Sequence, residues 1–232
     1  AQRNVDEKGE GINVAIFSLE MSQEQIVQRM TAAQARVNLT NIQKGTLTQK
    51  EMLLVESAND DLAALNVYFC DQGTVTVADI RAKCRKQQAL TGLDLVVIDY
   101  LQLIDSSSKY SGSRQQEVSE ISRNLKTMAL ELEVPVIALS QLSRNVEKRE
   151  DKKPVLSDLR ESGSIEQDAD IVLMLHRESY YNNDKSEENE SDVNKAEVIV
   201  AKNRHGSTET VDVAWNPEFT MFSTLERIKD DR

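Results

Sequence analysis

Cysteine, histidine and aromatic residues are scarce in this chain of 232 residues. The two cysteines, Cys70 and Cys84, form no C-x-x-C pair, and there are only two histidines. That usage excludes a zinc site and a disulfide scaffold and suits a reducing cytosol. Long hydrophobic runs are missing too. No apolar stretch approaches the roughly 18 residues needed to cross a bilayer, so no membrane association is expected. The polar start "AQRNVDEKGEGIN" lacks the apolar centre of a secretion signal. Excess positive charge is also lacking. A net charge of −11 excludes a protein coated in basic surface for duplex DNA, and leaves room for nucleic acid gripped by a few local groups. With 4% aromatic residues, base stacking is a minor resource.

What is present fits one globular domain over residues 1–232, with 39% hydrophobic and 29% charged residues. "NVAIFSLE" (13–20) reads as a buried strand, and 22–37 as the helix after it. Ser22 and Gln25 form an S-x-x-Q capping box there, and Ile26, Met30, Ala33 and Val37 recur at helical spacing. A second helix starts at Thr48, with Glu51 three residues on. "NVYFCD" (66–71) is a short strand. Thr76 caps a helix that Gly92 is placed to end. "LDLVVIDYLQLI" (93–104) contains the next strand, and "SSSKYSGS" (106–113) is a loop without core residues. Val118, Ile121, Leu125, Met128 and Leu132 mark one long amphipathic helix. "VPVIALSQ" (134–141) and "DIVLMLH" (170–176) are strands, and the acidic stretch near 182–195 reads as a mobile loop. "AEVIVAKNRHGSTETVDVAW" alternates like a β-hairpin turning near Gly206. The pattern predicts an α/β fold, a mostly parallel sheet flanked by helices, with a C-terminal β-hairpin.

In such a sheet the ligand crevice lies beyond the carboxyl ends of the strands. Three predicted strands end in a polar residue: Glu20, Asp99 and Gln141. Each alone reads equally as a turn or cap residue. Together they form a candidate nucleotide site, in which one carboxylate holds Mg²⁺ against phosphate, a second accepts a proton from water, and an amide senses the terminal phosphate. One part is absent. A phosphate-hydrolysing site of this type needs G-x-x-x-x-G-K-[ST] at a strand–helix junction, and no Gly-Lys pair occurs in the sequence. Gly9 and Gly11 lie in a charged stretch before a strand, the wrong context.

"VAIFSLEMSQEQ", "IRAKCR", "VIDYLQLI", "RQQEVSEISRNLKTMALELEVPVIALSQLSR", "RESGSIEQDADIV" and "AKNRHG" resemble, in this order, the RecA-like motor domain of the DnaB-type replicative DNA helicase. The resemblance runs over nearly the whole chain. It implies an ATP hydrolase using ATP and Mg²⁺ that translocates on single-stranded DNA and unwinds the replication fork in a bacterial cytosol or phage-infected cell. It also implies a homo-hexamer in the complete protein, with primase and a helicase loader as partners. Glu20 matches the glutamate that activates water, Asp99 the Walker B aspartate that serves the metal, and Gln141 the γ-phosphate sensor. Lys202 and Arg204 match a basic pair that reaches the nucleotide of the neighbouring subunit. The plainer reading of that pair is a charged, protected edge strand.

Arg160, Glu161 and Gly163 of "RESGSIEQ" match a DNA-binding loop, although Ser164 to Gln167 also reads as a capping box opening a helix. Lys109 is a further residue that could face DNA, with a solvated loop as the plainer reading. "AQRNV" resembles the later part of the helix that follows the phosphate loop, so the first strand and that loop are expected to be missing, as are the family's N-terminal domain and linker helix. Two alternatives stand beside the helicase. One is a hydrolysis-incompetent fragment acting as an interaction module, and the other a RecA-like recombination or regulatory ATPase.

Overall fold

A computed structural model describes residues 11–71, 73, 75–106, 113–180 and 195–225. The expected acidic loop, Lys109 and the "AQRNV" segment lie outside the described residues, apart from Lys195 at the far end of that loop. Two four-stranded sheets organise the chain. The first has strand order β2-β1-β3-β4, from β1 (Val14–Ser18), β2 (Val67–Cys70), β3 (Leu95–Asp99) and β4 (Val136–Ala138), and every pair in it is parallel. The helices are α1 (Gln23–Ala35), α2 (Leu39–Lys44), α3 (Gln49–Ala63), α4 (Val77–Thr91), α5 (Arg114–Leu132) and α6 (Gly163–Asp168).

Local signals set most of these boundaries. Ser22, Thr48 and Thr76 each accept a hydrogen bond from the main chain three residues on, and Gln25, Glu51 and Asp79 reach back, completing three capping boxes. Gly92 ends α4 at φ 86, a conformation open to glycine and costly for other residues. α1 stops earlier than its periodicity predicts, because Arg36 turns left-handed at φ 52. Along α5, the predicted Val118, Ile121, Leu125, Met128 and Leu132 are all buried. They pack with Ile80 and Cys84 of α4 and with Ala15, Phe17, Val96 and Ile98 of the sheet into the main core. Burying a side chain such as Phe17 is worth about 1.5–3 kcal/mol.

The strand read in "DIVLMLH" belongs to a second, antiparallel sheet. β5 (Ile171–His176) pairs antiparallel with β6 (Lys195–Asn203), and β6 with β7 (Thr210–Asn216), the hairpin foreseen around Gly206. A short β8 (Met221–Thr224), not foreseen, closes the sheet. At Gly206 a Cβ would meet the Asn203 side chain at 2.6 Å, so a larger residue there requires the Asn203 amide to swing away from the Ser207 carbonyl it bonds at 3.3 Å. The inward side of β5, Val172 and Met174, packs on Leu159, Ile165, Ala169 and Ile199, and Ile165 of α6 also touches the main core. The other side of β5, Ile171, Leu173 and Leu175, is exposed, as are Ile137 and Leu139 in and just after β4. β4 and β5 are each the last strand of their sheet.

The capping box expected at Ser164 is not formed. α6 already starts at Gly163, and the Ser164 hydroxyl is buried without a hydrogen-bond partner.

Candidate functional site

Parallel pairing brings the carboxyl ends of β1, β3 and β4 to one edge. Ser18 lies opposite Asp99, and Ile98 opposite Ala138. Each chain then turns in a defined way. The buried Ser18 hydroxyl donates to the Met21 carbonyl at 2.7 Å and accepts the Met21 N–H at 3.3 Å, while the Leu19 N–H donates to the Asp99 carbonyl at 2.7 Å. Glu20, exposed at the tip of that turn, is therefore anchored beside Asp99 by main-chain bonds on its own strand connection. Asp99 ends β3 half-buried, and its peptide bond to Tyr100 is cis. Among the described residues neither the Glu20 nor the Asp99 carboxylate has a hydrogen-bond or ion-pair partner.

Gln141 lies three residues past β4 on a rebuilt edge. The Leu139 N–H donates to the Ile98 carbonyl at 2.9 Å, and the Leu101 N–H to the Leu139 carbonyl at 2.9 Å. Gln102 completes the edge. Its amide nitrogen donates to the Ser140 hydroxyl at 3.0 Å and to the Gln141 carbonyl at 3.2 Å, and its carbonyl oxygen accepts the Gln141 N–H at 3.2 Å. The Gln141 side chain stays exposed at the mouth of a cleft of about 510 Å³, whose walls include Leu142, Ser143, Arg144, Glu147 and Leu175. Gln102 had no role in the sequence reading, although it sits in the same "DYLQLI" word as Asp99.

Glu20, Asp99 and Gln141 thus follow the carboxyl ends of three neighbouring strands, and among the described residues the two carboxylates carry no partner that would compete with a cation or a water. Among the described residues no group of three or more His, Cys, Asp or Glu could hold a metal ion by itself. That donor set fits Mg²⁺, which keeps several waters and is held by one or two carboxylates together with phosphate oxygens.

Lys202 and Arg204 are elsewhere. β6 lies between β5 and β7, but β7 pairs only with Lys195–Ile199, so Lys202 is paired on the β5 side alone, as in the edge-strand reading, and Arg204 lies just beyond the strand. Lys202 pairs with Val172 near the start of β5, whereas Leu175, in the cleft beside Gln141, is near its end. At about 3.3 Å per residue these points are roughly 10 Å apart along the strand. A register shift leaves Ala201 unpaired between Lys202 and Val200, a bulge that re-aims the strand beyond it. The Lys202 ammonium donates to the carbonyls of Glu166 at 2.6 Å and Ala169 at 2.7 Å, capping the carboxyl end of α6. The Arg204 guanidinium donates to Asp170 at 2.9 Å. Of the DNA-loop residues, Arg160 and Glu161 lie in the 3-10 stretch Leu156–Ser162, and Gly163 opens α6.

Residues 1–224 match the family model for the DnaB-like helicase C terminal domain. The chain belongs to that family. It is 52% identical over 219 residues to the replicative DNA helicase DnaB of Geobacillus stearothermophilus, covering 94% of this chain and 47% of that protein. With the replicative DNA helicase DnaC of Bacillus subtilis it shares 51% over the same coverage. The chain therefore spans about half the length of the curated relatives it matches. Two solved structures superpose at a TM-score of 0.85 with 40% identity. One is an ATPase domain, with 93% of this chain and 75% of that chain covered; the other is a DnaB-like replicative helicase described with its interactions with primase, with 93% and 51% covered. The parallel sheet flanked by helices and the antiparallel sheet after it are the fold of this DnaB-like, RecA-like ATPase domain. Among the described residues no helix is long and apolar enough to cross a membrane.

Proposed function

We propose that this chain is the motor domain of a replicative helicase, hydrolysing ATP with Mg²⁺ at the edge formed by β1, β3 and β4. The observation that carries the reading is the pair of carboxylates Glu20 and Asp99, unpartnered among the described residues and anchored at the ends of adjacent parallel strands. Asp99 holds the cation, directly or through water. Bound Mg²⁺ offsets negative charge on the phosphates. Glu20, more exposed and at the tip of the turn, orients the attacking water and accepts its proton. Gln141, whose main chain is fixed while its side chain is free, reads the terminal phosphate. Lys202 and Arg204, whose partner strand position lies roughly 10 Å along β5 from the cleft beside Gln141, serve the nucleotide of a neighbouring copy in a homo-hexamer. That separation supports action between subunits rather than within one.

The open edges of β4 and β5, both lined with exposed apolar side chains, support a further part of the reading. A strand carrying the phosphate loop completes the sheet there. Without a G-x-x-x-x-G-K-[ST] loop, these 232 residues alone bind ATP weakly and turn over essentially none. Arg160, Glu161 and Gly163 contact single-stranded DNA through main-chain groups and few charges, consistent with a net charge of −11. Primase and a helicase loader are the expected partners of the full-length protein, in a bacterial or phage-infected cytosol.

The deciding experiment is Glu20→Gln in the full-length protein. The swap keeps size and polarity and removes the proton acceptor. Turnover should fall by about 10²–10⁴ while binding of a fluorescent ATP analogue is retained. Equal loss of binding and turnover would make Glu20 a structural residue.

A further inference from the structure

We propose that Asp170 is the positioning residue for Arg204, braced from behind by Lys126, so that the guanidinium is presented to a neighbouring nucleotide in one fixed orientation. The inference rests on the reading of Arg204 as a group acting on the nucleotide. Asp170 joins the end of α6 to the start of β5 and makes three bonds. Its Oδ1 accepts from Arg204 Nη1 at 2.9 Å, its Oδ2 from Lys126 Nζ at 2.5 Å, and its main-chain oxygen from the Arg204 N–H at 2.9 Å.

Neither Arg204 nor Asp170 is deeply buried, with side-chain exposures of 48% and 43%. An ion pair that exposed contributes little to stability, so its consequence is geometric. Arginine has five N–H donors in a rigid fork on a long, freely rotating stem. Tying one nitrogen to Asp170 restricts the swing of the fork and leaves the other donors for a ligand. Charge also favours presentation over sequestration. Lys126 and Arg204 share one carboxylate, and the cluster keeps a net positive charge.

The bracing extends further along α5. Ser122, one turn before Lys126, donates to Asp168 at 2.8 Å. Both acids at the end of α6 are thus held by one flank of a helix whose adjacent rows fill the main core. The same end of α6 is capped by Lys202, so Lys202 and Arg204 are mounted on a single rigid junction.

The test uses the full-length protein with Asp170→Ala, Arg204→Ala and the double variant, measuring DNA-stimulated ATPase and affinity for a fluorescent ATP analogue. The main-chain bond between residues 170 and 204 does not depend on the side chain, and Asp170→Asn serves as a second, isosteric variant should the alanine form fold poorly. Misplacing a reacting group by about 1 Å costs on the order of 10² in rate, so Asp170→Ala should lose kcat to that extent with affinity unchanged. Asp170→Asn should lose less, and Asp170→Glu should recover part of the rate. The double variant should be no slower than Arg204→Ala alone, because Asp170 acts only through Arg204. Wild-type kcat in Asp170→Ala, with Arg204→Ala inactive, would overturn the inference and leave the role of Arg204 standing. Losses that multiply in the double variant would overturn it as well. Normal turnover in Arg204→Ala would remove both the reading and the inference built on it.

Discussion

Gln102 grips the main chain of Gln141 on both sides of that residue, accepting its N–H and donating to its carbonyl, each at 3.2 Å. One side-chain amide thereby does what a neighbouring strand would do, three residues after β4 has ended. Gln102 is itself tethered. Its main-chain carbonyl accepts from the Arg114 guanidinium, which also pairs with Glu117 at 2.5 Å at the start of α5. The placing of the Gln141 main chain, and with it the start of its side chain, therefore depends on Gln102.

Gln102→Ala should separate positioning from binding. The loss of these bonds costs about 1–2 kcal/mol of stability, readable in urea unfolding. Nucleotide affinity should hold, while turnover falls by roughly tenfold or more as Gln141 loses its fixed place. Gln102→Glu should be worse than alanine, since a carboxylate facing the Gln141 carbonyl is repelled by it. Wild-type turnover in both variants would show that the grip is incidental to Gln141.

Asp170 gives the cluster behind Arg204 a defined acid limit. The Lys126 hydrogen bond is the main cause holding its carboxyl below the usual range; burial, next in size, opposes the shift, and the charges of Lys126, Arg204 and His205 add to it. A carboxylate whose folded value is depressed contributes its stability above the unfolded value, about 3.9 for Asp, and loses it as pH falls through the lower folded value. The cluster should therefore be intact throughout pH 5–8. The Asp170 carboxyl resonance should titrate below about 3.9, and Lys126→Met should move its midpoint upward. A midpoint above the ordinary value would contradict the pairing.

Cys84 offers a readout of the main core. It is fully buried between α4 and the sheet, and burial, with a smaller contribution from Cys70, pushes its thiol up to about 12. Thiolate is the reactive form, so Cys84 should resist iodoacetamide at pH 8 in the native protein and label once the chain is unfolded. Rapid native labelling of Cys84, mapped by mass spectrometry, would mean that the α4–sheet packing opens.

Local signals carried much of this architecture in the sequence. The three capping boxes and the apolar rows of α5 depend on residues three or four apart, and all were readable. α2 was missed although its signals are present: Asn38 caps it and Gly45 ends it at φ 67. The pairing of β5 was not readable, because Ile171, Leu173 and Leu175 make it apolar on both faces and so give no sign of an antiparallel partner. Its hydrogen bonds run antiparallel to β6, and pairing partners are not encoded within a strand. The same distinction divides the site. Glu20, Asp99 and Gln141 follow apolar runs and could be found one by one. The links from Gln102 to Gln141 and from Asp170 to Arg204 and Lys126 span 39, 34 and 44 residues, and only the fold brings them together.

The wall of the cleft beside Gln141 depends on one buried acid, Asp158. Its carboxylate accepts from both terminal nitrogens of Arg149, at 3.1 and 2.8 Å, and from the Val155 N–H at 2.7 Å, while its carbonyl accepts the Ser143 N–H at 3.1 Å. Arg149 also donates to the Lys153 carbonyl at 2.8 Å, closing the loop that carries Glu147 and Pro154 along the cleft. Asp158 is 6% exposed and Arg149 36%. Removing one partner of a fully buried pair costs about 3–5 kcal/mol, but water reaching the guanidinium screens this one. Arg149→Ala should therefore cost roughly 1–3 kcal/mol, and each kcal/mol lowers Tm by about 2–4 °C in a chain of this size. Asp158→Asn should cost a similar amount, and the double variant should be little worse than the poorer single one, since both changes remove the same bonds. Additive losses in thermal unfolding would mean that the two side chains act independently, and the cleft wall would then owe its shape to the apolar packing of Val146 and Leu142 instead.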